Sequence, residues 1–268
     1  MDFQYTLDSL VDKLRSDVIG KWHTEARAGN DGSAGNTLED LLGVSENNLK
    51  TPDWGKIELK TKKKESQSLV TLMHREPQPP ASVPSLLTSL GWKHQHAGKK
   101  YPANEMSFRS TTRADSYSDR GFAIKLGANK IELDFDPTKV ATNSADRTGI
   151  YPTYGDWLAD VEKRVPHYTD VLPVYWDRSY VENEIRNKLD HTMLVMCQTR
   201  KRNEEKQFKY ASVVLLKGFL PKRMDELFST KSMYVDFDAR TNHNHGTKFR
   251  VDLTQISKLF SESITIFS

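Results

Sequence analysis

Leu7, Leu10, Val11, Leu14 and Val18 recur at steps of three and four residues. That spacing lines one apolar stripe along a helix, so residues 6–19 are predicted as an amphipathic helix. Asn36-Thr37-Leu38-Glu39-Asp40 predicts a second, short helix, with Asn36 or Thr37 as its cap ahead of Leu41 and Leu42. Between them, residues 26–35 are polar and contain Gly29, Gly32 and Gly35, but lack the Lys-Ser/Thr ending of a phosphate-binding loop; a surface turn is expected. Pro52 stops any helix before it. Residues 56–61 then alternate polar and apolar as a half-buried strand does, and residues 68–73 predict another strand.

Residues 77–117 carry Pro79, Pro80, Pro84 and Pro102 and much polarity, which predicts a long, mostly irregular excursion, a length that usually serves a function. Within it, residues 93–113 hold five Lys or Arg against one acid, Glu105, with Trp92, Tyr101 and Phe108 among or beside them. This composition suits a loop that tracks a nucleic-acid groove; it also describes a solvated basic surface. Residues 121–126 and 130–135 pattern as a hairpin about Gly127-Ala128-Asn129. Residues 154–165 and 179–189 pattern as helices, and 192–197, 208–216, 233–237 and 247–253 as strands. Pro221 is well placed to open a further helix, because the first helical position loses nothing by lacking an amide proton. Helices interspersed with strands, without internal repeats, predict a mixed α/β fold around a central sheet.

At 268 residues the chain suffices for one large domain or two closely packed lobes. Its 37% hydrophobic and 28% charged residues exclude collagen-like, rod-like and wholly disordered chains. No apolar run approaches the roughly 18 residues that span a bilayer, and Met1-Asp2-Phe3-Gln4 is unlike a secretory leader. A chain that stays inside the cell, with no membrane partner, is expected. The single cysteine, Cys197, excludes a disulfide framework and a cysteine-based zinc site, and its apolar setting predicts a small buried hydrophobe. A formal charge of +3 identifies no partner by itself.

The chemistry concentrates in Pro52-Asp53-Trp54-Gly55-Lys56-Ile57-Glu58-Leu59-Lys60. Strand alternation puts Glu58 and Lys60 on one face, expected to meet solvent or a ligand, and Ile57, Leu59 and Thr61 on the other. A bend at Gly55 would carry Asp53 back toward Glu58. Asp53, Glu58 and the Leu59 carbonyl are hard oxygen donors of the kind magnesium takes. Lys60 would position a water and stabilise developing negative charge, as in metal-assisted phosphodiester hydrolysis. Glu39, just upstream, would be an outer or additional ligand. On spacing alone a solvated strand face with surface ion pairs is the simpler account.

Context changes that balance. Trp22-His23, Gly29-Asn30, Thr37-Leu38-Glu39-Asp40-Leu41-Leu42, Asn48-Leu49, Pro52-Asp53 and Ile57-Glu58-Leu59-Lys60-Thr61 resemble, in order and spacing, the amino-terminal half of the MvaI/BcnI restriction endonucleases. Ser68-Leu69-Val70-Thr71-Leu72, Val174-Tyr175-Trp176 and the tract His243-Asn244-His245-Gly246-Thr247-Lys248-Phe249-Arg250 are similar too, so the likeness covers most of the chain. It implies a PD-(D/E)xK fold, similar also to the repair nickase MutH: a mixed central sheet flanked by helices. A catalytic lobe is implied over residues 1–200, with the 77–117 loop contacting DNA, and a DNA-recognition lobe over 201–268. Asp53 and Glu58 match the family's metal-binding carboxylates, Lys60 its catalytic lysine and Glu39 its helix-borne acid. His74 follows the second strand and would face the scissile phosphate, although the family pattern requires no histidine there; a surface histidine is the plainer reading.

The resemblance further implies that residues 236–250 enter the grooves of double-stranded DNA. Arg240, Arg250, His243, His245 and Asp236 have the donors and acceptor that read G·C pairs. His243 and His245 as a zinc pair lack a third ligand at suitable spacing. The tract departs from the family pattern in being shorter, and Asp238 stands where a basic reader is expected. Lys62 and Lys63, with Lys64, would clamp phosphates or serve as exposed solubilising charges. The implied activity is that of a magnesium-dependent type II restriction endonuclease cutting duplex DNA at a short G·C-rich site of the CCNGG kind, leaving 5′-phosphate and 3′-hydroxyl ends. It would work in a prokaryotic cytoplasm as a monomer, cutting the strands in turn, with a companion DNA methyltransferase that acts on the same site without stable binding. A MutH-like nickase and a non-catalytic, sequence-specific DNA-binding protein are the rival readings.

Overall fold

The computed structural model describes residues 5–27, 32–44, 52–64, 69–165, 167–168 and 173–268; Gly29, Asn30, Asn48, Leu49 and Ser68 of the motifs above lie outside them. The chain forms two compact units that interleave in sequence. The first comprises Met1–Val70, Glu184–Pro221 and Asp252–Ser268, the second Thr71–Asn183 and Lys222–Val251. Residue 200, named above as the lobe boundary, lies within an antiparallel ladder that runs from Arg202↔Glu205 to His191↔Lys217.

In the first unit the predicted amino-terminal helix is α1 (Leu7–Lys13), continued by a π-helical stretch, Leu14–Val18. Thr6 and Ser9 cap it reciprocally, satisfying amides that the first turn leaves open. The second helix, α2 (Ser33–Leu42), starts earlier than its expected cap at Asn36 or Thr37, inside what was expected to be a surface turn. Ala34, Leu38 and Leu42 make a ladder into the core, and Thr37 donates its hydroxyl back to the Ser33 carbonyl (2.8 Å) instead of capping. The sheet runs in the order β1 (Trp22–Thr24), β10 (Glu205–Phe219), β9 (His191–Arg202), β2 (Glu58–Lys63), with β14 (Phe260–Phe267) also paired to β10. Only the β2–β9 pairing is parallel among these. Leu59, Met193, Val195 and Cys197 on one sheet face share an apolar core with Leu10, Leu14, Leu38 and Trp54, so Cys197 packs as expected. Period-two alternation sends Glu58, Lys60, Thr192 and Leu194 to the opposite face. The end of α5 (Arg178–Leu189) leads directly into β9.

The second unit holds β3 (Val70–His74, after its first residue), α3 (Ser82–Leu90), β4 (Trp92–Lys93), β5 (Met106–Thr112), β6 (Arg120–Leu126), β7 (Lys130–Val140), α4 (Tyr154–Arg164), β8 (Val174–Asp177), α6 (Lys222–Ser229), β11 (Met233–Arg240), β12 (His243–Asn244) and β13 (Lys248–Val251). One sheet has the order β3-β13-β11-β5-β4 with β12 on β11, another β6-β7-β8. The expectation of an irregular 77–117 excursion is corrected by α3, β4 and β5. Pro79 and Pro80 precede α3 and Pro84 lies in its first turn, where a missing amide proton costs no helical bond, and Val83, Leu86, Leu87 and Leu90 form its buried stripe. Phe108, Phe122, Phe135 and Phe237 pack at centroid spacings of 5.1–5.3 Å in the core. No helix among the described residues is long and apolar enough to cross a membrane.

Candidate functional site

The turn ahead of β2 aims the first carboxylate. Trp54 and Ile57 exchange backbone hydrogen bonds (2.9 and 2.8 Å), with Gly55 at φ 61°, a conformation that suits glycine. The chain is thereby folded back so that Asp53 Oδ2 accepts from the Leu59 amide at 2.9 Å. Buried Trp54 donates its indole N–H to the Thr6 carbonyl (3.0 Å) and ties the turn to the start of α1.

Glu58 is only 2% exposed, unlike the solvated strand face that spacing alone suggests. Its Oε1 accepts from Lys60 Nζ at 2.5 Å and lies 3.4 Å from Lys188 Nζ in the last turn of α5. Its Oε2 is buried without a hydrogen-bond partner among the described residues. Burial pushes the Glu58 carboxyl above the ordinary glutamate range; Lys60 opposes this, Asp53 reinforces it and Lys188 opposes it. Asp53, Glu58 and Lys60 are thus brought together. The Leu59 side chain belongs to the core, while its amide is spent on Asp53. Glu39 is half-buried on α2, near enough to Tyr210 for its charge to add to burial in raising that hydroxyl's pKa. Lys62 donates to the Leu69 carbonyl (3.1 Å), and the Lys63 amine lies 6.0 Å from the centre of the Phe208 ring, so both are half-buried and engaged within the chain. Among the described residues no group of three or more His, Cys, Asp or Glu is clustered to hold a metal. Sequence reasoning missed Lys188, because only the β2–β9 pairing puts the α5 terminus beside Glu58.

In the second unit β11 carries Asp236, itself buried, and the half-buried Asp238 and Arg240 on one face, with Val235, Phe237 and Ala239 buried on the other. The strand register sets Thr111, Arg109 and Ser107 of β5 opposite those three, and Lys248 of β13 opposite Asp236. Arg250 donates to Asp236 at 2.6 Å. Arg109 and Lys248 pair with Asp238 at 2.8 and 3.3 Å. Arg240 pairs with Glu105 at 2.8 Å, with its guanidinium 4.6 Å from the centre of the Tyr101 ring. His243 and His245 are exposed, their rings edge-to-face at 4.1 Å. Glu76 holds this hairpin, accepting from the Thr247 amide (2.7 Å) and the Asn244 side chain (2.9 Å). His74 ends β3 beside the same hairpin, its Nδ1 3.5 Å from where a side chain on Gly246 would begin. Asp238, at the position where a basic reader was expected, organises two cations instead. Arg109 and Lys248, both inside stretches flagged for nucleic acid, were not singled out individually in the sequence, although the Phe108-Arg109-Ser110-Thr111 alternation was a usable strand signal.

The MvaI/BcnI restriction endonuclease family model matches residues 11–260. Among solved structures, a complex of restriction endonuclease MvaI with its cognate DNA substrate aligns at a TM-score of 0.74 and 21% identity, covering 99% of both chains. MvaI in the absence of DNA aligns at 0.50 and 21% identity, covering 97% of this chain and 100% of that one. No curated protein matches the sequence. The structural likeness establishes a mixed α/β fold similar to that of MvaI. With the family model spanning nearly the whole sequence, the chain belongs to the MvaI/BcnI restriction endonuclease family and is a type II restriction enzyme, a site-specific deoxyribonuclease.

Proposed function

We propose that the chain hydrolyses phosphodiester bonds of double-stranded DNA with magnesium, at a short G·C-rich site of the CCNGG kind, leaving 5′-phosphate and 3′-hydroxyl ends. The observation that carries this reading is the Glu58 carboxylate: one oxygen faces the ammonium groups of Lys60 and Lys188, and the other is buried and, among the described residues, unmatched. An unmatched buried charged oxygen is costly, so it suits a cation. With Asp53 and the Leu59 carbonyl it offers hard oxygen donors, and magnesium needs few of these because it keeps several waters.

In this reading Asp53, Glu58 and the Leu59 carbonyl hold the ion, which when bound supplies charge neutralisation at the phosphate and a more acidic water. The Leu59 amide keeps Asp53 aimed. Lys60 donates to the attacking water and to the charge that develops on the phosphate oxygens. Glu39 on α2 serves as the outer acidic residue. The first unit is then the PD-(D/E)xK catalytic part. In the second, Asp236, Arg240, His243, His245 and Arg250 read base edges, while Lys62 and Lys63 in the first contact phosphates. His74, beside the reading hairpin, is a candidate phosphate contact.

MvaI has been solved with its cognate DNA substrate, and a duplex partner is proposed here by that likeness. One copy of the chain would cut the strands in turn, in a prokaryotic cytoplasm whose own sites a companion methyltransferase protects. Unmethylated plasmid incubated with purified protein and magnesium should yield discrete linear fragments, and Lys60→Ala should yield none. Intact plasmid throughout, or undiminished cutting by Lys60→Ala, would overturn the reading. Open circles that never become linear would instead indicate a nickase, and duplex binding without turnover a non-catalytic DNA-binding role.

A further inference from the structure

Resting on the hydrolytic reading of Glu58 and Lys60, we propose that Lys188 is a positioning residue of the active site, retaining Glu58 when Lys60 turns toward the phosphodiester. The difficulty it resolves lies in the geometry. Lys60 Nζ is committed to Glu58 Oε1 at 2.5 Å. To donate to a water or a phosphate oxygen, Lys60 must loosen that contact. Were Lys60 the sole donor, its departure would leave Oε1 as unmatched as Oε2 already is, on a side chain that is 2% exposed. With Oε2 left for the cation, a carboxylate released at Oε1 would be held at that one oxygen alone and free to pivot about it. Lys188 approaches the same Oε1 at 3.4 Å, so Glu58 remains anchored at that oxygen and presents Oε2.

The placement of Lys188 is built into the fold. Parallel pairing sets Glu58 beside Thr192 at the start of β9, and α5 ends at Leu189. The buried Thr192 hydroxyl donates to the Leu189 carbonyl at 2.9 Å, and Ile185 and Leu189 are themselves buried, so the turn that carries Lys188 is fixed. The Lys188 side chain keeps 30% of its exposure, so changing it leaves the core intact.

Three measurements on the full chain test the assignment. In single-turnover cleavage at saturating enzyme, Lys188→Met should be slower than the wild type by about 10- to 100-fold, and Lys188→Arg should recover most of the rate. Binding of a labelled duplex without metal should be unchanged by Lys188→Met. In thermal unfolding with chelator, Lys60→Met and Lys188→Met together should lower the midpoint by more than the sum of the single changes, because only the double variant strips Glu58 of both ammonium partners. A Lys188→Met enzyme as fast as wild type at saturation, additive unfolding shifts, or a loss wholly explained by weaker duplex binding would each overturn the proposal, the last making Lys188 a phosphate contact. If the wild type cleaves nothing, the hydrolytic reading fails on its own, and the unfolding cycle still decides whether Lys60 and Lys188 share Glu58.

Discussion

Glu58 concentrates the opposition between stability and function in one side chain. Its folded pKa is raised, chiefly by burial. The stability associated with its protonated form is therefore present below the ordinary glutamate range and lost as pH rises through the raised value. Glu58→Gln, which cannot ionise, should unfold at a higher temperature than the wild type at neutral pH without metal, and the gap should close on acidification; thermal scans across pH check this. The same variant should lose about three orders of magnitude in cleavage rate. A second contrast concerns recognition. Arg250 is fixed by Asp236 at 2.6 Å, so Arg250→Ala should relax discrimination at one base pair by about 1–3 kcal/mol, whereas Lys62→Ala should weaken all sites alike. Cleavage of a substrate panel with single base-pair changes separates the two. The Asp53, Glu58 and Lys60 spacing was legible in the sequence, because a strand repeats every two residues and Gly55 announced a turn. The burial of Glu58 was not, since Thr192 beside it and Lys188 at 3.4 Å come from elements remote in sequence.

Among the elements, the turn into β2 is the most exacting. Gly55 combines φ 61° with a site where a Cβ would meet the Tyr5 carbonyl at 2.5 Å. Gly55→Ala should destabilise the chain by at least about 1 kcal/mol in urea unfolding and slow cleavage by displacing Asp53, with duplex binding retained. Helical and strand periodicities identified α1, α4, α5 and most of the strands. They failed where a polar residue imitated a boundary, as Thr37 did inside α2, and where prolines at a helix start suggested an irregular chain, as they did ahead of α3. In both cases the apolar ladder, Ala34-Leu38-Leu42 or Val83-Leu86-Leu87-Leu90, outweighed the local signal because its burial stabilises the helix more than the local preference opposes it.

At the scale of the molecule, two units built from discontinuous stretches must each close their own core. In the second, Arg120 and Asp146 form a buried pair at 2.8 Å, with the guanidinium 4.3 Å from the centre of the Trp92 ring and 4.8 Å from that of Trp157. Asp146→Ala should cost about 3–5 kcal/mol in chemical unfolding, since it strands a buried cation. Burial works against ionisation of Asp146, yet the Thr148 hydroxyl and amide, with Arg120, outweigh it and hold its pKa below the ordinary range. Its contribution should accordingly be complete above the ordinary aspartate range and disappear as pH falls through the depressed value. The amino-acid sequence by itself determined most of the element types, the carboxylate and lysine spacing and the family, because each is written in residues close along the chain. Tertiary structure alone decided that Lys188 meets Glu58, that Glu58 lies out of water, and that Arg109, Asp238 and Lys248 share one sheet face. Those facts depend on pairings between strands distant in sequence, β2 with β9 and β5 with β11 and β13, whose register is set by closing long loops around a core and by no local period.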